Sequence, residues 1–209
     1  GHPRSGRLGM IEVKLDGAML TVTLNRPDKA NALTLEMLSD LVEIYRNADA
    51  KVIILTGAGG VFSAGADLDA ARAGLATSPL WEQLSGAISA HAGLTIAALN
   101  GTLAGGAFGM ALACDLRIAV PNAKFFYPVM KLGFLPQPSD PARLRDLIGP
   151  ARAKIILMAG QKVLADEALQ WGLIDRIVAA DMLLEAATAL GQDVMAAAQV
   201  HAAGIKGMI

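Results

Sequence analysis

The stretch from residue 94 to residue 115 most constrains what this chain can fold into. Leu94–Leu99 is an apolar, strand-like run that ends sharply at Asn100-Gly101, and the residues after it are rich in alanine, glycine and leucine, as in a buried helix. The first N–H groups of a helix have no internal partner and carry partial positive charge. We therefore expect Gly105-Gly106 to offer backbone donors to an anion or a polarised carbonyl, because glycine lets a ligand approach the main chain. A tight packing turn without a ligand is the alternative.

Composition narrows the class of protein further. The 209 residues are 54% hydrophobic and 4% aromatic, which favours one main domain of closely packed helices on a buried sheet. The net charge is −1, from 18 Lys+Arg against 19 Asp+Glu, so we expect no nucleic-acid partner. The apolar runs are shorter than the roughly 20 residues of a membrane-spanning helix, so we expect no membrane partner. The single cysteine, Cys114, excludes an internal disulfide and favours a cytoplasmic location.

The chain divides into three predicted parts. Residues 1–9 have the composition of a cloning remnant ahead of Met10, and we expect them to lie outside the fold. Residues 10–165 are predicted to form the core, and residues 166–209 a helical segment that serves oligomerisation. The fold class is α/β.

Local patterns predict the secondary structure of the core. Two alternating segments joined by Asp16-Gly17 predict a β-hairpin, and Thr34 caps a predicted helix over Leu35–Asn47. Residues 51–56 read as a strand that is buried on both faces. Further helices are predicted over residues 81–91, 141–148, 150–159 and 165–171, and from residue 182 almost to the end.

A second glycine turn, Gly65-Ala66-Asp67, resembles Gly105-Gly106-Ala107 in following a buried strand and preceding a helix. Two such turns on neighbouring strands can place two backbone N–H groups around one oxygen, which is the geometry of an oxyanion hole. Removing one donor of such a hole typically costs on the order of 3 kcal/mol of transition-state stabilisation. The pair could therefore support a reaction that passes through a thioester enolate.

At this point the chain resembles the crotonase (enoyl-CoA hydratase/isomerase) superfamily, from Met10 to about Val178. The resemblance depends on the order and spacing of several short motifs rather than on any one of them. These motifs are Asn25-Arg26-Pro27, Phe62-Ser63-Ala64-Gly65-Ala66-Asp67-Leu68, Asn100-Gly101, Ala104-Gly105-Gly106 and Trp171-Gly172-Leu173-Ile174-Asp175.

The resemblance implies a spiral of ββα units with C-terminal helices, shortened here, that assembles as a homotrimer or hexamer. It implies an acyl-CoA thioester as substrate or ligand, with no other cofactor, and no metal spacing is present. By position, the N–H groups of Ala66 and Gly106 would hold the thioester oxygen. The residues expected near the CoA are Arg26, Lys29, Ala30, Ala64, Asp67 and Leu68. Lys29 or Arg26 would meet a phosphate, although Lys29 could equally be an ordinary solvated lysine.

The chain departs from the hydratases of this family at two positions. Those enzymes use two glutamates to activate water, and the matching positions here are Gly109 and Val129. Neither residue can abstract or deliver a proton, so the general acid and the general base of the hydration reaction are both missing at these positions.

Two polar residues follow a little farther along the chain. Asp140 could act as a base if its loop folds inward, but Ser139-Asp140-Pro141 also reads as a helix start with the aspartate as cap. Gln137 cannot move protons, yet it can hydrogen-bond a carbonyl or carboxylate. Tyr127 reads as a core residue and His91 as a surface or packing residue.

Three functions therefore stay open. The first is an enzyme that needs an oxyanion hole but no glutamate pair, such as a decarboxylase of a malonyl-type thioester. The second is a catalytically inactive homologue that binds acyl-CoA or supports an active one. The third is hydratase or isomerase activity through Asp140 or a water.

Overall fold

The computed structural model describes residues 5–209. The strands are β1 Gly6–Leu8, β2 Ile11–Asp16, β3 Met19–Leu24, β4 Val52–Gly57, β5 Val61–Ser63, β6 Leu94–Leu99, β7 Thr102–Ala104, β8 Leu116–Ala119, β9 Lys124–Phe126, β10 Val163–Leu164 and β11 Arg176–Ile177. The helices are α1 Leu35–Asn47, α2 Leu68–Arg72, α3 Leu80–Ala90, α4 Phe108–Ala113, α5 Val129–Leu132, α6 Asp140–Ile148, α7 Pro150–Leu157, α8 Ala165–Trp171, α9 Leu183–Leu190, α10 Gln192–Ala196 and α11 Gln199–Gly207. Short 3₁₀ helices cover Pro27–Lys29, Leu75–Thr77, Gly105–Ala107 and Ala180–Met182.

The strands form two sheets. The larger has the order β1-β2-β3-β4-β6-β8-β11, in which β1 to β3 are antiparallel and the remaining pairs are parallel. The smaller has the order β10-β9-β7-β5, with β5, β7 and β9 parallel. Along the chain, β4, β6 and β8 enter the larger sheet, and the short strand after each of them enters the smaller one. The predicted α/β spiral of ββα units is therefore confirmed.

The local predictions for the core hold where the sequence signal is strong. The hairpin β2–β3 turns at Gly17, whose φ of 60° favours glycine, and α1 has the predicted bounds. The Thr34 hydroxyl accepts a hydrogen bond from the N–H of Met37 at 3.2 Å, as expected of an N-cap. Strand β4 is almost wholly buried. Strands β5 and β7 were not predicted, because three residues are too short to show a period of two.

The beginning of the chain differs from the expectation. Residues 1–4 lie outside the described residues, but Gly6–Leu8 pairs with β2 as an exposed edge strand. Backbone pairing with an existing strand edge needs no apolar side chains, so a segment without a hydrophobic pattern can still extend a sheet.

The segment after residue 165 also contains more than helices. Helix α8 has the predicted bounds and ends at Gly172, but β11 pairs with β8 and extends the larger sheet. The single helix predicted from residue 182 is divided into α9, α10 and α11. The interruption after α10 is stabilised by Lys51, whose Nζ donates to the carbonyls of Met195 and Ala197 at 3.2 and 2.6 Å. Within residues 5–209, no helix is long and apolar enough to cross a membrane.

Candidate active site

The two glycine turns touch each other at one edge of the smaller sheet. Strands β5 and β7 are parallel neighbours, so the turns that follow them leave the sheet side by side. A β-carbon at Gly65 would lie 3.0 Å from the carbonyl oxygen of Ala104 and 3.4 Å from the nitrogen of Gly106. Gly65 and Gly105 also have φ angles of 96° and 59°, which other residues rarely adopt. Close approach and backbone conformation therefore both require glycine here.

The backbone N–H groups of Ala66 and Gly106 are the two predicted oxyanion donors. Ala66 forms a parallel β-bridge with Leu33, but the hydrogen bonds of this bridge are made by the residues on either side of Ala66. The Leu33 N–H donates to the Gly65 carbonyl at 2.7 Å, and the Asp67 N–H donates to the Leu33 carbonyl at 2.8 Å. No hydrogen bond of residues 5–209 uses the Ala66 N–H. Gly106 lies in the first turn of the 3₁₀ helix Gly105–Ala107, where amides have no partner within the helix.

Both residues line a cavity of about 310 Å³. The rest of its wall is mainly apolar and comes from Ala64, Leu68, Ala71, Arg72, Ala76, Trp81, Ala104, Gly105, Phe126, Tyr127, Pro128, Val129, Leu132, Phe134, Leu135 and Gln137. Trp81 closes the cavity against the second turn, since a β-carbon at Gly106 would lie 3.1 Å from its ring. Val129 and Gln137, two of the predicted site residues, thus line the same cavity as the glycine turns.

The space beside Gly109 is not an apolar pocket. A β-carbon at residue 109 would lie 2.9 Å from Oδ1 of Asp140, so the aspartate carboxylate occupies the position that a side chain on α4 would need. Asp140 is 1% exposed and is the first residue of α6, where Ser139 stands at the N-cap. Its expected role as helix cap is wrong, because the carboxylate turns into the core instead of back to the helix amides.

The carboxylate of Asp140 is only partly satisfied by its neighbours. The Tyr127 hydroxyl donates to Oδ2 at 2.8 Å, whereas Oδ1 finds no hydrogen-bond partner among the described residues. The pKa of Asp140 is raised to about 7, mainly by burial and in smaller part by the nearby Glu82, while Tyr127 and Arg143 oppose the shift. A carboxyl group that titrates near neutral pH can act as an acid or a base, unlike an ordinary aspartate.

Tyr127 connects this carboxylate to the cavity. Its ring packs against Phe108 with centroids 5.2 Å apart, and its hydroxyl accepts a hydrogen bond from the backbone N–H of Gln137 at 3.2 Å. Burial, together with the Asp140 charge, raises the pKa of Tyr127, so the hydroxyl stays protonated at neutral pH. The side-chain amide of Gln137 donates to the Ala76 carbonyl at 2.8 Å and holds the loop before α6 against the cavity.

A second cavity, of about 400 Å³, adjoins the first and contains most of the residues predicted to meet CoA. Its wall consists of Lys29, Ala32, Ala64, Ala66, Asp67, Leu68, Asp69 and Arg72. We call it the CoA groove, after the ligand that the family resemblance leads us to expect there. Ala64, Ala66, Leu68 and Arg72 line both cavities, so a long ligand could pass from one to the other. Lys29 is exposed at the groove, and Arg72 adds a second exposed cation that no sequence signal indicated.

Arg26 lies differently from the expectation of a free phosphate partner. Its Nη1 donates to Oδ1 of Asp67 at 2.9 Å and to the carbonyl of Ala32 at 3.1 Å, and the two charged side chains are 18% and 19% exposed. The N–H of Ala70, followed by Arg26, holds the pKa of Asp67 below its usual value. The guanidinium therefore fixes the start of α2 against the loop that precedes α1.

That loop is held in an unusual backbone conformation. Ala30 and Asn31 have φ angles of 52° and 51°, in the left-handed region that costs non-glycine residues energy. The buried Asn31 side chain compensates by donating to the carbonyls of Ala58 and Val61 at 2.9 and 2.8 Å and accepting from Arg26 N–H at 2.8 Å. Ala30 does not line the groove, but its carbonyl accepts a hydrogen bond from Ala64 at 3.0 Å.

Comparison with known proteins decides the family. A model of the enoyl-CoA hydratase/isomerase family matches residues 14–209. The chain belongs to the enoyl-CoA hydratase/isomerase family. Among curated relatives, carnitinyl-CoA dehydratase of Citrobacter koseri is 36% identical over 204 residues, which are 91% of this chain and 76% of that protein. Carnitinyl-CoA dehydratase of Escherichia coli K12 is also 36% identical, over 205 residues and the same shares of each chain.

Solved structures of the family agree with the fold. DspI of Pseudomonas aeruginosa is similar with a TM-score of 0.87 at 30% identity, covering 96% of this chain and 86% of that one. Enoyl-CoA hydratase from Bacillus anthracis has a TM-score of 0.87 at 31% identity, covering 95% and 81%. The crotonase resemblance inferred from short motifs is therefore confirmed.

A larger cavity, of about 630 Å³, lies away from the family's motifs, between α1, α3 and α11. His91 lines it and forms a hydrogen bond of 2.8 Å with the Ala50 carbonyl, while burial lowers the pKa of the imidazole. His91 is thus a packing residue, as predicted. None of the predicted oxyanion or CoA residues lines this cavity.

Proposed function

We propose that this chain is an acyl-CoA enzyme that stabilises a thioester enolate with the backbone N–H groups of Ala66 and Gly106. The contact between the two glycine turns carries the proposal, because the residues that would supply the amides, Ala66 and Gly106, line one cavity. Two donors at a developing oxyanion are worth more in a dry, apolar site than in water. The enoyl-CoA hydratase/isomerase family membership supports a CoA thioester as the bound class.

The reaction that fits this cavity best is decarboxylation of a malonyl-type thioester, a lyase reaction. Loss of CO2 leaves its electron pair on the α-carbon and generates the enolate directly, so no base has to remove a proton first. Residues 109 and 129, at the positions of the hydratase glutamates, are glycine and valine. The relatives named carnitinyl-CoA dehydratase suggest elimination of water as a competing reaction, which needs both a proton acceptor and a donor.

The CoA portion of the ligand would occupy the CoA groove. Lys29 and Arg72 are exposed cations on its wall and suit the phosphates. Arg72 lies 3.6 Å from Asp69 in an ion pair that is open to water, whereas Arg26 is half-buried in its pair with Asp67. Ala64 and Ala66 lie where the groove meets the first cavity, so the thioester would pass the oxyanion amides there.

The test is incubation with methylmalonyl-CoA and with crotonyl-CoA, followed by mass analysis of the products. Decarboxylation appears as loss of 44 mass units, about the mass of CO2, and hydration as a gain of about one water. We expect turnover of methylmalonyl-CoA and none of crotonyl-CoA. Hydration of crotonyl-CoA alone would replace the decarboxylase proposal with the hydratase one. Failure to bind CoA in calorimetry would overturn the proposed function altogether.

The second candidate is an inactive homologue that binds acyl-CoA or supports an active family member. The apolar wall around Val129, Leu132, Phe134 and Leu135 favours it, since such a wall suits an acyl chain without chemistry. Measurable CoA binding with turnover of neither thioester would establish this role.

Assembly as a homotrimer or hexamer belongs to the same proposal. Leu68 and Leu135, beside the cavity mouth, are 73% and 90% exposed, and a partner subunit would shield them from water. Light scattering should give a mass three or six times the 21.6 kDa of one chain, and a monomeric mass would contradict the assembly.

A further inference from the structure

Asp140, for which the sequence left open the roles of base and helix cap, is a carboxylic acid that stands behind the cavity wall. It is 1% exposed, its Oδ1 has no partner among the described residues, and Oδ2 accepts the hydrogen bond of Tyr127 at 2.8 Å. The contact with Gly109 explains why that position has no side chain. A buried, half-satisfied carboxyl group is costly to keep and needs an explanation.

We propose that Tyr127 and Asp140 form a proton-transfer pair, in which the Tyr127 hydroxyl protonates the α-carbon of the enolate and Asp140 replaces that proton. The proposal rests on the proposed function, because it supplies the proton that an enolate needs after decarboxylation. Tyr127 is the catalytic residue of the pair. Asp140 acts through it, as a positioning and proton-supplying residue.

The hydrogen bonds allow two states of the pair. When Asp140 is ionised, the Tyr127 hydroxyl donates to Oδ2, as in the structure. When Asp140 is protonated, it can donate to the tyrosine oxygen, which also accepts from the Gln137 N–H at 3.2 Å. The hydroxyl hydrogen is then free to turn into the cavity that Tyr127 lines. Protonation of the buried acid therefore directs the tyrosine proton toward the ligand.

The steps balance without a further reagent. The bond between the α-carbon and the carboxylate breaks, CO2 leaves, and the electron pair forms the enolate held at the Ala66 and Gly106 amides. The Tyr127 O–H bond then breaks as its proton joins the α-carbon and the thioester carbonyl reforms. The Asp140 proton moves to the tyrosine oxygen. After product release, the carboxylate regains a proton from water through the hydroxyl of Tyr127.

The charges around Asp140 suit this exchange. The titratable or charged groups that influence it are Tyr127, Glu82 on α3 and Arg143 on α6. The Glu82 carboxylate accepts hydrogen bonds from the backbone N–H and the hydroxyl of Ser139, so its negative charge stays close to Asp140. Burial and Glu82 raise the pKa of Asp140 to about 7, so both of its protonation states are populated near neutral pH.

The reverse of the same step provides the test. Propionyl-CoA, the decarboxylation product of methylmalonyl-CoA, is incubated with the enzyme in D2O, and deuterium uptake at its α-carbon is followed by mass spectrometry. Tyr127→Phe and Asp140→Asn should each slow this exchange by roughly a hundredfold, a typical contribution of general acid–base catalysis. Calorimetry with CoA should give unchanged binding in both variants.

Two matched controls separate the pair from general damage. Tyr45→Phe removes the hydroxyl of another buried tyrosine, which lies on α1 and whose oxygen has no partner among the described residues. Asp146→Asn changes a side chain that is 70% exposed on the same helix as Asp140. Both controls should exchange deuterium at the rate of the unmodified protein.

A pH profile of the unmodified protein keeps the proposal testable if a variant does not fold. Removing the α-proton requires ionised Asp140, so exchange should rise with pH and level off above about pH 7, where the acid is ionised. The two histidines in residues 5–209, His91 and His201, lie outside the lining of the cavity, so no described imidazole explains a step there. Asp140→Asn should abolish the step.

The outcomes distinguish this proposal from the proposed function. Exchange that persists in both variants, or that lacks the step near pH 7, overturns the proton-transfer pair and leaves the oxyanion function intact. CoA binding without any exchange by the unmodified protein overturns the pair together with the enzymatic function. The proton-transfer pair is supported if Tyr127→Phe and Asp140→Asn lose exchange, while CoA binding and the exchange rates of the two control variants are unchanged.

Discussion

Two parts of the wall of the candidate active-site cavity are built in different ways. One wall consists of the glycine turns at Gly65 and Gly105-Gly106, where the chain offers backbone amides and any side chain would be in the way. The other wall consists of Tyr127, with Asp140 behind it, where side chains carry the polar groups. The first wall comes from two short contiguous motifs. The second joins residues that are distant in sequence.

This difference determines how each wall responds to change. Backbone donors cannot be deleted by substitution, but they can be displaced by a β-carbon that has no space. A side-chain pair can be removed atom by atom, and its charge depends on pH. We call the first the glycine wall (Gly65, Gly105 and Gly106) and the second the acid wall (Tyr127 and Asp140). Substitutions on the glycine wall should therefore displace the backbone donors, whereas substitutions on the acid wall should change which groups are protonated.

The largest effect is expected at the glycine wall, for Gly65→Val. Its β-carbon would lie 3.0 Å from the Ala104 carbonyl in a backbone with φ of 96°, so the turn must shift and carry the Ala66 amide with it. We expect the rate of enolate formation to fall by roughly a hundredfold to a thousandfold, the typical loss of one oxyanion donor. Deuterium exchange into propionyl-CoA measures it. Gly60→Val, with no neighbour within 4 Å, is the matched control and should keep its rate.

The next effect concerns Asp140 on the acid wall, which should make the free energy of unfolding depend on pH. Because burial raises the folded-state pKa of Asp140 from 3.8 to about 7, the folded protein binds a proton that the unfolded chain has released. This group's contribution to stability is present below about pH 4 and is lost as pH rises through about 7. Between about pH 5 and pH 8 the loss amounts to about 3 kcal/mol.

Asp140→Asn should remove this part of the pH dependence. Urea unfolding of the variant and the unmodified protein, at about pH 5 and pH 8, measures the difference in the free energy of unfolding. The variant should gain stability relative to the unmodified protein as the pH rises. Parallel pH dependence in the two proteins would mean that Asp140 ionises as easily in the folded state as in the unfolded chain.

The same contrast explains what could be predicted from the sequence. The α/β class, the bounds of α1 and the glycine turns follow from hydrophobic period, capping and glycine, which are all local signals. The spiral arrangement, by contrast, is expected only from the resemblance to the crotonase superfamily. The position of Asp140 beside Gly109 depends on how α6 packs against α4, and no local pattern encodes that contact. The Ser-Asp-Pro pattern even favoured the wrong role for Asp140, because a cap and a buried acid look alike in sequence.

A smaller effect should couple Gly109 to Asp140. In Gly109→Ala the new β-carbon would lie 2.9 Å from Oδ1, and such overpacking costs about 2 kcal/mol of stability. In an Asp140→Ala background the same change should cost almost nothing, so chemical unfolding of the four proteins should yield a coupling energy of similar size. Additive effects would mean that the carboxylate moves away easily. Gly86→Ala on α3, with no neighbour within 4 Å, is the control.

This contact also bears on restoring the hydratase glutamates. A glutamate at residue 109 meets the Asp140 carboxylate, so Gly109→Glu with Val129→Glu should fail as a hydratase unless Asp140 is also made small. If the double variant hydrates crotonyl-CoA without a change at Asp140, the first residues of α6 must be able to move away from residue 109.

The smallest effect is expected where the CoA groove is open to water. Lys29 is exposed, and a single surface cation contributes little to binding because solvent and salt screen it. Lys29→Gln should weaken CoA binding only about threefold at low salt, and the difference should vanish as the salt concentration increases. Arg26→Met should weaken binding more and at every salt concentration, because Arg26 is half-buried and holds Asp67 and the Ala32 carbonyl in place. Equal losses for both variants, with equal salt dependence, would instead indicate that Arg26 contacts a phosphate directly.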